Sequence, residues 1–238
     1  MPDLIETVPE TGSTNADLLA RLRGGEHIAE GHWLVADRQT GGRGRQGREW
    51  LGGAGNFMGS AVVNCTAGDP PIQSLALVAG MAVRGACLPH IAPDAELLLK
   101  WPNDLLLDGA KLAGILLEGE GDSVVIGIGV NLAAAPELPG LRTTALGGVQ
   151  RDSFAESLAA SFATELQRWR SYGLGSLLSR WLSAAHPPGT PLAVHEPAGN
   201  RLSGIFDGLA EDGALQLRLA DGSVRTIHAG DVTLNSGE

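Results

Sequence analysis

The sequence predicts an α+β fold, a β-sheet with flanking helices, followed by a small all-β barrel. Three observations predict it. Strand-like apolar runs alternate with long helical segments over most of the chain. Proline and glycine gather in "HPPGTP" at 186–191, which punctuates the chain. Beyond that point only short strands at close turn spacing remain, the pattern of a small barrel. The expected domains are therefore 1–185 and 187–238.

The elements follow in order. After an apolar opening segment, "TGSTN" (11–15) sets Ser13 and Thr14 ahead of "ADLLARLR", whose apolar spacing fits a short helix with hydroxyls at its entrance. "HWLVAD" (32–37) reads as a strand entering the loop "QTGGRGRQGREW" (39–50), and "FMGSAVVN" (57–64) as the strand leaving it. Residues 73–88 form a long apolar helix, followed by the strands "ELLLKW", "DLLLD", "LAGILLE" and "SVVIGIGVNL". The "DG" pair at 108–109 is a tight hairpin turn. Residues 153–184 read as two helices, and "PLAVHE", "RLSGIFDGLAE", "GALQLRLA", "GSVRTIHA" and "VTL" supply the barrel strands.

A net charge of −10 over 238 residues excludes generalised attraction to nucleic acid or an anionic membrane. The second domain, with seven acids against three arginines, is a poor nucleic-acid surface. "MPDLIETVPE" lacks the basic start and apolar run of a secretory signal,. "SLALVAGMAVRGACL" is broken by Arg84 and too short to span a bilayer, so a cytoplasmic protein is expected. Cys65 and Cys87 make no disulfide framework, and the six histidines are scattered, so no structural zinc is expected.

The loop carries the first chemical signal. Arginine presents a permanent planar charge suited to carboxylate and phosphate, and glycine lets backbone amides come close to a ligand. Arg43, Arg45 and Arg48 can neutralise anions, while Trp50 offers an aromatic face or a plug. The run occurs once, between two strands, unlike the repeated glycine and arginine tails of RNA-binding proteins. In "KWPNDLLLDGAKLAGILLE" (100–118) the hairpin accounts for the turn. It does not account for the cluster Lys100, Asn103 and Asp104, or for Lys111 in an apolar strand. The strand bearing Gly114 lets its backbone lie close to a ligand. "GIGVNL" (127–132) lacks the third glycine and following helix of a dinucleotide loop,, and places Asn131 where an amide could meet a purine or ribose. No nucleophile elbow, P-loop or paired-histidine motif is present,.

In this order and spacing, "GSTN", the arginine loop, K-W-P-N-D, K-L-A-G-I and "GIGVNL" closely resemble the biotin protein ligase family, over essentially the whole chain. The resemblance implies a class II aminoacyl-tRNA synthetase/biotin synthetase-like catalytic domain on a mixed sheet, with an SH3-like C-terminal barrel. It implies an enzyme that joins biotin to ATP with Mg²⁺, giving biotinyl-5′-AMP and pyrophosphate. Biotin then passes to a lysine of a biotin carboxyl carrier protein domain. By resemblance, Ser13, Thr14 and Gln39 surround the biotin head, and backbone at Arg43 and the Gly114 strand completes its contacts. Lys111 bridges the biotin carboxylate and the α-phosphate, while Arg45 and Arg48 grip phosphates and hold the loop closed. Trp50, Asn103 and Asn131 serve the adenylate, and Asp104 orients or deprotonates the incoming amine. No residue is assigned to the metal, which is held mainly by ATP phosphates.

Gln46 and Glu49 stand where many relatives carry basic residues, and "AAAPELPGLRTTAL" after Asn131 is short and proline-rich. The resemblance begins by residue 11, so no DNA-binding domain and no operator binding are expected. Exposed strand edges leave a homodimer or strand addition by the carrier open. A lipoate or octanoyl ligase would share the fold, but the arginine loop and barrel favour biotin. A non-enzymatic RNA-binding module is disfavoured by the charge, and a biotinyl-AMP sensor by the presence of Lys111.

Overall fold

The computed structural model describes residues 5–196 and 199–234. Seven strands share the larger sheet: β1 (Ile5–Val8), β2 (Trp33–Ala36), β3 (Phe57–Asn64), β4 (Leu97–Lys100), β5 (Asp104–Leu107), β6 (Ala110–Glu120) and β7 (Ser123–Val130). Their order is β1-β2-β3-β7-β6-β5-β4. β1 and β2 are parallel and the other neighbours antiparallel, so the sheet is mixed, as expected.

Alternation along the central strands divides their side chains between two faces. Leu34 of β2, Val62 of β3 and Val125 of β7 meet Leu18 and Leu19 of α1 (Thr14–Arg23). Trp33, Val35, Ala61, Val63 and Ile126 join the opposite core with α2 (Leu75–Cys87) and α3 (Arg151–Leu182). Being covered on both faces, β3 needs an almost unbroken apolar sequence. With its flanking turns, α2 runs from Ile72 to His90, long and apolar enough on composition to cross a membrane. The helix expected at 73–88 is present, and the flanking turns Ile72–Ser74 and Leu88–His90 extend the apolar stretch beyond the run expected to be too short for a bilayer. The helix is apolar because it lies between α3 and the sheet, with Leu75, Val78, Ala79, Ala82 and Val83 fully buried.

The two helices expected over 153–184 meet without a loop. Gly173 (φ 71°, ψ −178°) breaks α3, a conformation that only glycine adopts without strain. Buried Glu165 accepts from Arg168 at 2.9 Å on its own arm and from Arg180 at 2.6 Å on the other, pinning the two together. The "DG" turn is as expected: Asp108 (φ 50°) and Gly109 (φ 73°) form the left-handed pair of a two-residue hairpin,.

The smaller sheet is entirely antiparallel and contains β8 (Pro191–His195), β9 (Arg201–Leu209), β10 (Leu215–Arg218), β11 (Val224–Ile227) and β12 (Asp231–Leu234). Its order is β11-β10-β9-β8-β12, and its end strands are not paired with each other among the described residues. The expected SH3-like barrel is thus a small sheet not closed by strand pairing. Leu192, Phe206, Leu215 and Leu217 belong to the same apolar cluster as α2 and α3. Hydrogen bonds from Trp101 Nε1 to Gly213 O (3.1 Å) and from Lys100 Nζ to Val232 O (2.9 Å) cross the seam.

Candidate functional site

One cavity of about 250 Å³ opens between the arginine loop, the β3-β7-β6 surface and the start of β12. Every residue singled out from the sequence for a site, from Ser13 to Asn131, lines it. Main-chain pairing brings the first of them together. Past β1 and β2, Thr11 bridges Gln39 in parallel, and Gly41 N donates to Gly12 O at 2.8 Å. Ser13 caps α1, accepting from Ala16 N at 3.4 Å, a weak version of the usual N-cap. Gln39 Oε1 accepts from Thr14 N at 2.8 Å and lies 3.1 Å from its hydroxyl. Behind them, Thr14 Oγ1 lies 2.7 Å from Ser60 Oγ, which donates to Asn15 Oδ1 at 2.6 Å. Asn15 Nδ2 in turn donates to Glu118 at 2.8 Å.

The arginine loop folds back on itself. Arg43 pairs antiparallel with Glu49, Gly44 N donates to Arg48 O at 2.7 Å, and Trp50 N to Gly42 O at 2.9 Å. A Cβ on Gly42 would lie 2.6 Å from Trp50 O, so glycine is required there. Arg45 donates to Asn103 Oδ1 at 3.1 Å and Gly230 O at 3.3 Å, and Arg48 to Asp231 Oδ1 at 2.8 Å. The smaller sheet therefore holds the loop over the cavity. Burial lowers the Arg45 pKa against the opposing pull of Asp231 and Asp104, yet an arginine so placed stays cationic.

Trp50 rests on a floor without side chains. Gly114 of β6 and Gly129 of β7 are register partners; a Cβ on Gly114 would come within 3.1 Å of the indole, and one on Gly129 would fall inside it. Lys111 Nζ lies 5.9 Å from the indole centroid, within cation–π range.

Lys111 Nζ also lies 2.7 Å from Asp104 Oδ1, and Lys100 Nζ 2.9 Å from its other oxygen. Burial works to raise the Asp104 carboxyl, but Lys100 and Lys111 outweigh it and hold the group below the usual carboxylate range. The trio carries a net positive charge and lacks a strong base. Two buried polar atoms of the cavity have no hydrogen-bond partner among the described residues, Trp50 Nε1 and Asn131 Oδ1. Buried orphans of this kind mark places where a ligand or water completes the pairing. Asn131 is otherwise fixed, donating to Thr144 O at 3.0 Å.

The segment after Asn131 reaches the cavity despite its short, proline-rich sequence: Pro136, Leu138, Leu141 and Thr143 line that end. Asn56 Oδ1 anchors its start, accepting from Leu132, Ala133 and Ala134 N at 3.0, 2.9 and 3.2 Å. No group of three or more potential metal ligands occurs among the described residues.

Sequence reasoning missed Asn15, Ser60, Gly129 and Asp231. Asn15 completes "GSTN", Ser60 interrupts the apolar run of "FMGSAVVN", and Gly129 alternates with Gly127 in "GIGVNL". Each was visible as an anomaly. Asp231 had no local signal, lying 183 positions from Arg48.

The arrangement can seat a polar head group at Thr14 and Gln39, and anions among Lys111 and the arginines, beneath an aromatic cover. Comparison with known proteins agrees in fold and sequence. The profile of the biotin/lipoate A/B protein ligase family matches residues 12–131, and that of the biotin protein ligase C terminal domain residues 196–234. Biotin–[acetyl-CoA-carboxylase] ligase of Paracoccus denitrificans is 37% identical, over 87% of this chain and 91% of its own. The Mycobacterium tuberculosis protein of the same name is 37% identical, over 96% and 88%. Biotin protein ligase from Aquifex aeolicus, solved with biotin and ATP, superposes with a TM-score of 0.82 at 26% identity, covering 98% of this chain and 99% of that one. With both of its parts matched, this chain belongs to the biotin/lipoate A/B protein ligase family.

Proposed function

We propose that the chain is an ATP-dependent biotin protein ligase. It activates biotin as biotinyl-5′-AMP and transfers it to a lysine of the biotin carboxyl carrier protein of a biotin-dependent carboxylase. The observation that carries this reading is the convergence, on one cavity of about 250 Å³, of Lys111, the loop arginines and the polar pocket at Thr14 and Gln39.

In the first step a biotin carboxylate oxygen bonds to the α-phosphorus of ATP while the bond to the leaving pyrophosphate breaks. Two anions must meet, so fixed cations at the developing charge supply the main catalytic effect. Lys111 sits where it can leave Asp104 for the biotin carboxylate and the α-phosphate, because Lys100 continues to neutralise Asp104. Arg45 and Arg48 serve the phosphates, with Arg43 beside the biotin head. The unpaired Trp50 Nε1 and Asn131 Oδ1 offer one donor and one acceptor to the adenylate, next to Asn103. Mg²⁺ accompanies nucleotide phosphates as an oxygen-bound ion that keeps much of its water. No group of three or more potential metal ligands occurs among the described residues, and the ATP phosphates would supply most of its ligands.

In the second step the carrier lysine amine attacks the acyl carbon, AMP leaves with the bonding pair, and the ammonium proton passes to solvent water. Asp104, held below the usual carboxylate range by its two lysines, suits orientation of the amine better than its deprotonation. Between steps, Trp50 and the arginine loop exclude water from the labile acyl-adenylate. We place this chemistry in the cytoplasm. The outer edge of β1, which pairs only with β2 among the described residues, is where a carrier domain or a second copy would add a strand.

The test is biotin-dependent ATP–pyrophosphate exchange on the purified protein with Mg²⁺, with lipoate and octanoate as parallel substrates. Exchange with biotin alone is expected. Exchange with lipoate instead would move the protein to the lipoate branch, and none with any acid would overturn the reading.

A further inference from the structure

We infer that Glu118 is a positioning residue for the biotin head: acting through Asn15 and Ser60, it fixes the Thr14 hydroxyl as a hydrogen-bond acceptor, so that the pocket selects a ligand N–H. The inference rests on the biotin reading of the cavity.

The argument is a count of protons. A carboxylate only accepts hydrogen bonds, so Asn15 must turn its Nδ2 toward Glu118, 2.8 Å away. That leaves Asn15 Oδ1, also an acceptor only, facing Ser60, whose single proton goes to it at 2.6 Å. Ser60 then has only lone pairs for Thr14, 2.7 Å distant, and two hydroxyl oxygens at that separation repel unless a proton lies between them. Thr14 must therefore donate to Ser60. Gln39 Oε1 is the competing acceptor: it takes the Thr14 backbone N–H at 2.8 Å and has a second lone pair 3.1 Å from the Thr14 hydroxyl, but the shorter contact to Ser60 draws the hydroxyl proton. The Thr14 hydroxyl is left as an acceptor in a residue that lines the cavity.

Were the Asn15 amide reversed, Nδ2 would donate to Ser60, Ser60 to Thr14, and the Thr14 proton would turn to Gln39 or the cavity. Thr14 would then offer a donor. Glu118 is the group that distinguishes the two polarities, since every other member of the chain can serve as donor or acceptor after a flip or rotation. The relay is built into the sheet. Asn15 (3% exposed) and Ser60 (0%) are buried, and a Cβ on Gly127 would overlap the Asn15 amide oxygen. Glu118 itself does not line the cavity, so its influence on a ligand passes through the relay. A cyclic urea carries both N–H donors and a carbonyl acceptor, and the polarity at Thr14 decides which of them this wall reads.

The experiment measures biotin-dependent pyrophosphate exchange in the full chain for wild type, Glu118→Gln and Glu118→Lys, with Michaelis constants for biotin and ATP and a thermal melt of each. Glutamine keeps an acceptor for Asn15, so its KM for biotin stays within about twofold of wild type. Lysine offers only donors and turns Asn15 over; its KM for biotin rises by about tenfold, the loss expected for one unmade buried hydrogen bond. Its KM for ATP and its melting temperature stay close to wild type. A biotin analogue methylated on the ring nitrogens is rejected by wild type and less strongly by Glu118→Lys. Should the lysine variant not fold, Ser60→Ala cuts the relay without adding bulk and gives the same split. An unchanged KM for biotin, a parallel rise in both constants, or equal loss in Glu118→Gln and Glu118→Lys would overturn the inference. Absence of biotin-dependent exchange in wild type would overturn the biotin reading itself.

Discussion

Replacing Lys111 with alanine separates catalysis from folding. Lys111 is one of two cations on Asp104, 2.7 Å from one oxygen, while Lys100 holds the other at 2.9 Å. Stripping a buried charge of all partners costs about 3–5 kcal/mol. Here Lys100 remains, so the loss is nearer that of one charged hydrogen bond, about 1.5–3 kcal/mol. For a chain of this size that lowers Tm by about 3–12 °C. In the proposed role of Lys111, Lys100 stays with Asp104, and removing one preorganised donor from a developing charge slows a reaction by about 10²–10³-fold. Pyrophosphate exchange at saturating biotin and ATP, alongside calorimetry, reads both effects. Exchange within threefold of wild type would refute the assignment of Lys111 to the adenylation step. A collapse of Tm with no folded population would refute the claim that Lys100 suffices for Asp104.

Gly129→Ala drives a methyl group into the Trp50 ring; we expect the indole to leave its seat, with a red-shifted tryptophan emission and faster hydrolysis of enzyme-bound biotinyl-AMP, both absent if the floor is incidental. Asp104 contributes stability that is complete above its unfolded pKa of about 3.8 and lost as pH falls through its lower folded value,. Asp104→Asn should therefore flatten the acid limb of the stability curve below about pH 4, measured by urea melts across pH. Burial pushes the Cys87 thiol up to about 12, so it should resist thiol reagents at neutral pH until the chain unfolds; stoichiometric labelling of native Cys87 would show that the core opens readily.

Local features of the sequence carried much of this structure. Asp108 and Gly109 announced their hairpin because Asp-Gly readily adopts the left-handed pair of a type I′ two-residue turn. The arginine loop was legible because glycine and arginine together have few other uses between strands. What stayed hidden depends on partners distant in sequence. The parallel pairing of β1 with β2 and the neighbouring of β3 with β7 join segments whose apolar patterns would suit many partners,. Gly114, read as room for a ligand, does border the cavity, but its joint seating of Trp50 with Gly129 was hidden, a pairing set by the register of β6 and β7. Gly173 gave no sign that it would join two helical arms directly, because a helix break needs the Glu165 clamp from Arg180 to settle its direction. Asp231 could not be assigned to the loop at all, since its charge looks like any other until β12 is placed.

The seam between the two sheets has a thermodynamic consequence. Leu192, Phe206, Leu215 and Leu217 share one apolar cluster with Leu77, Leu178 and Trp181, so neither part can lose its structure without exposing the inner surface of the other. The proline and glycine break at 186–191 divides the chain without dividing its cooperativity. Heating should produce a single calorimetric transition whose van't Hoff and calorimetric enthalpies agree. A chain ended at residue 185 should melt far below the intact protein, because its exposed half of the seam has only water to face.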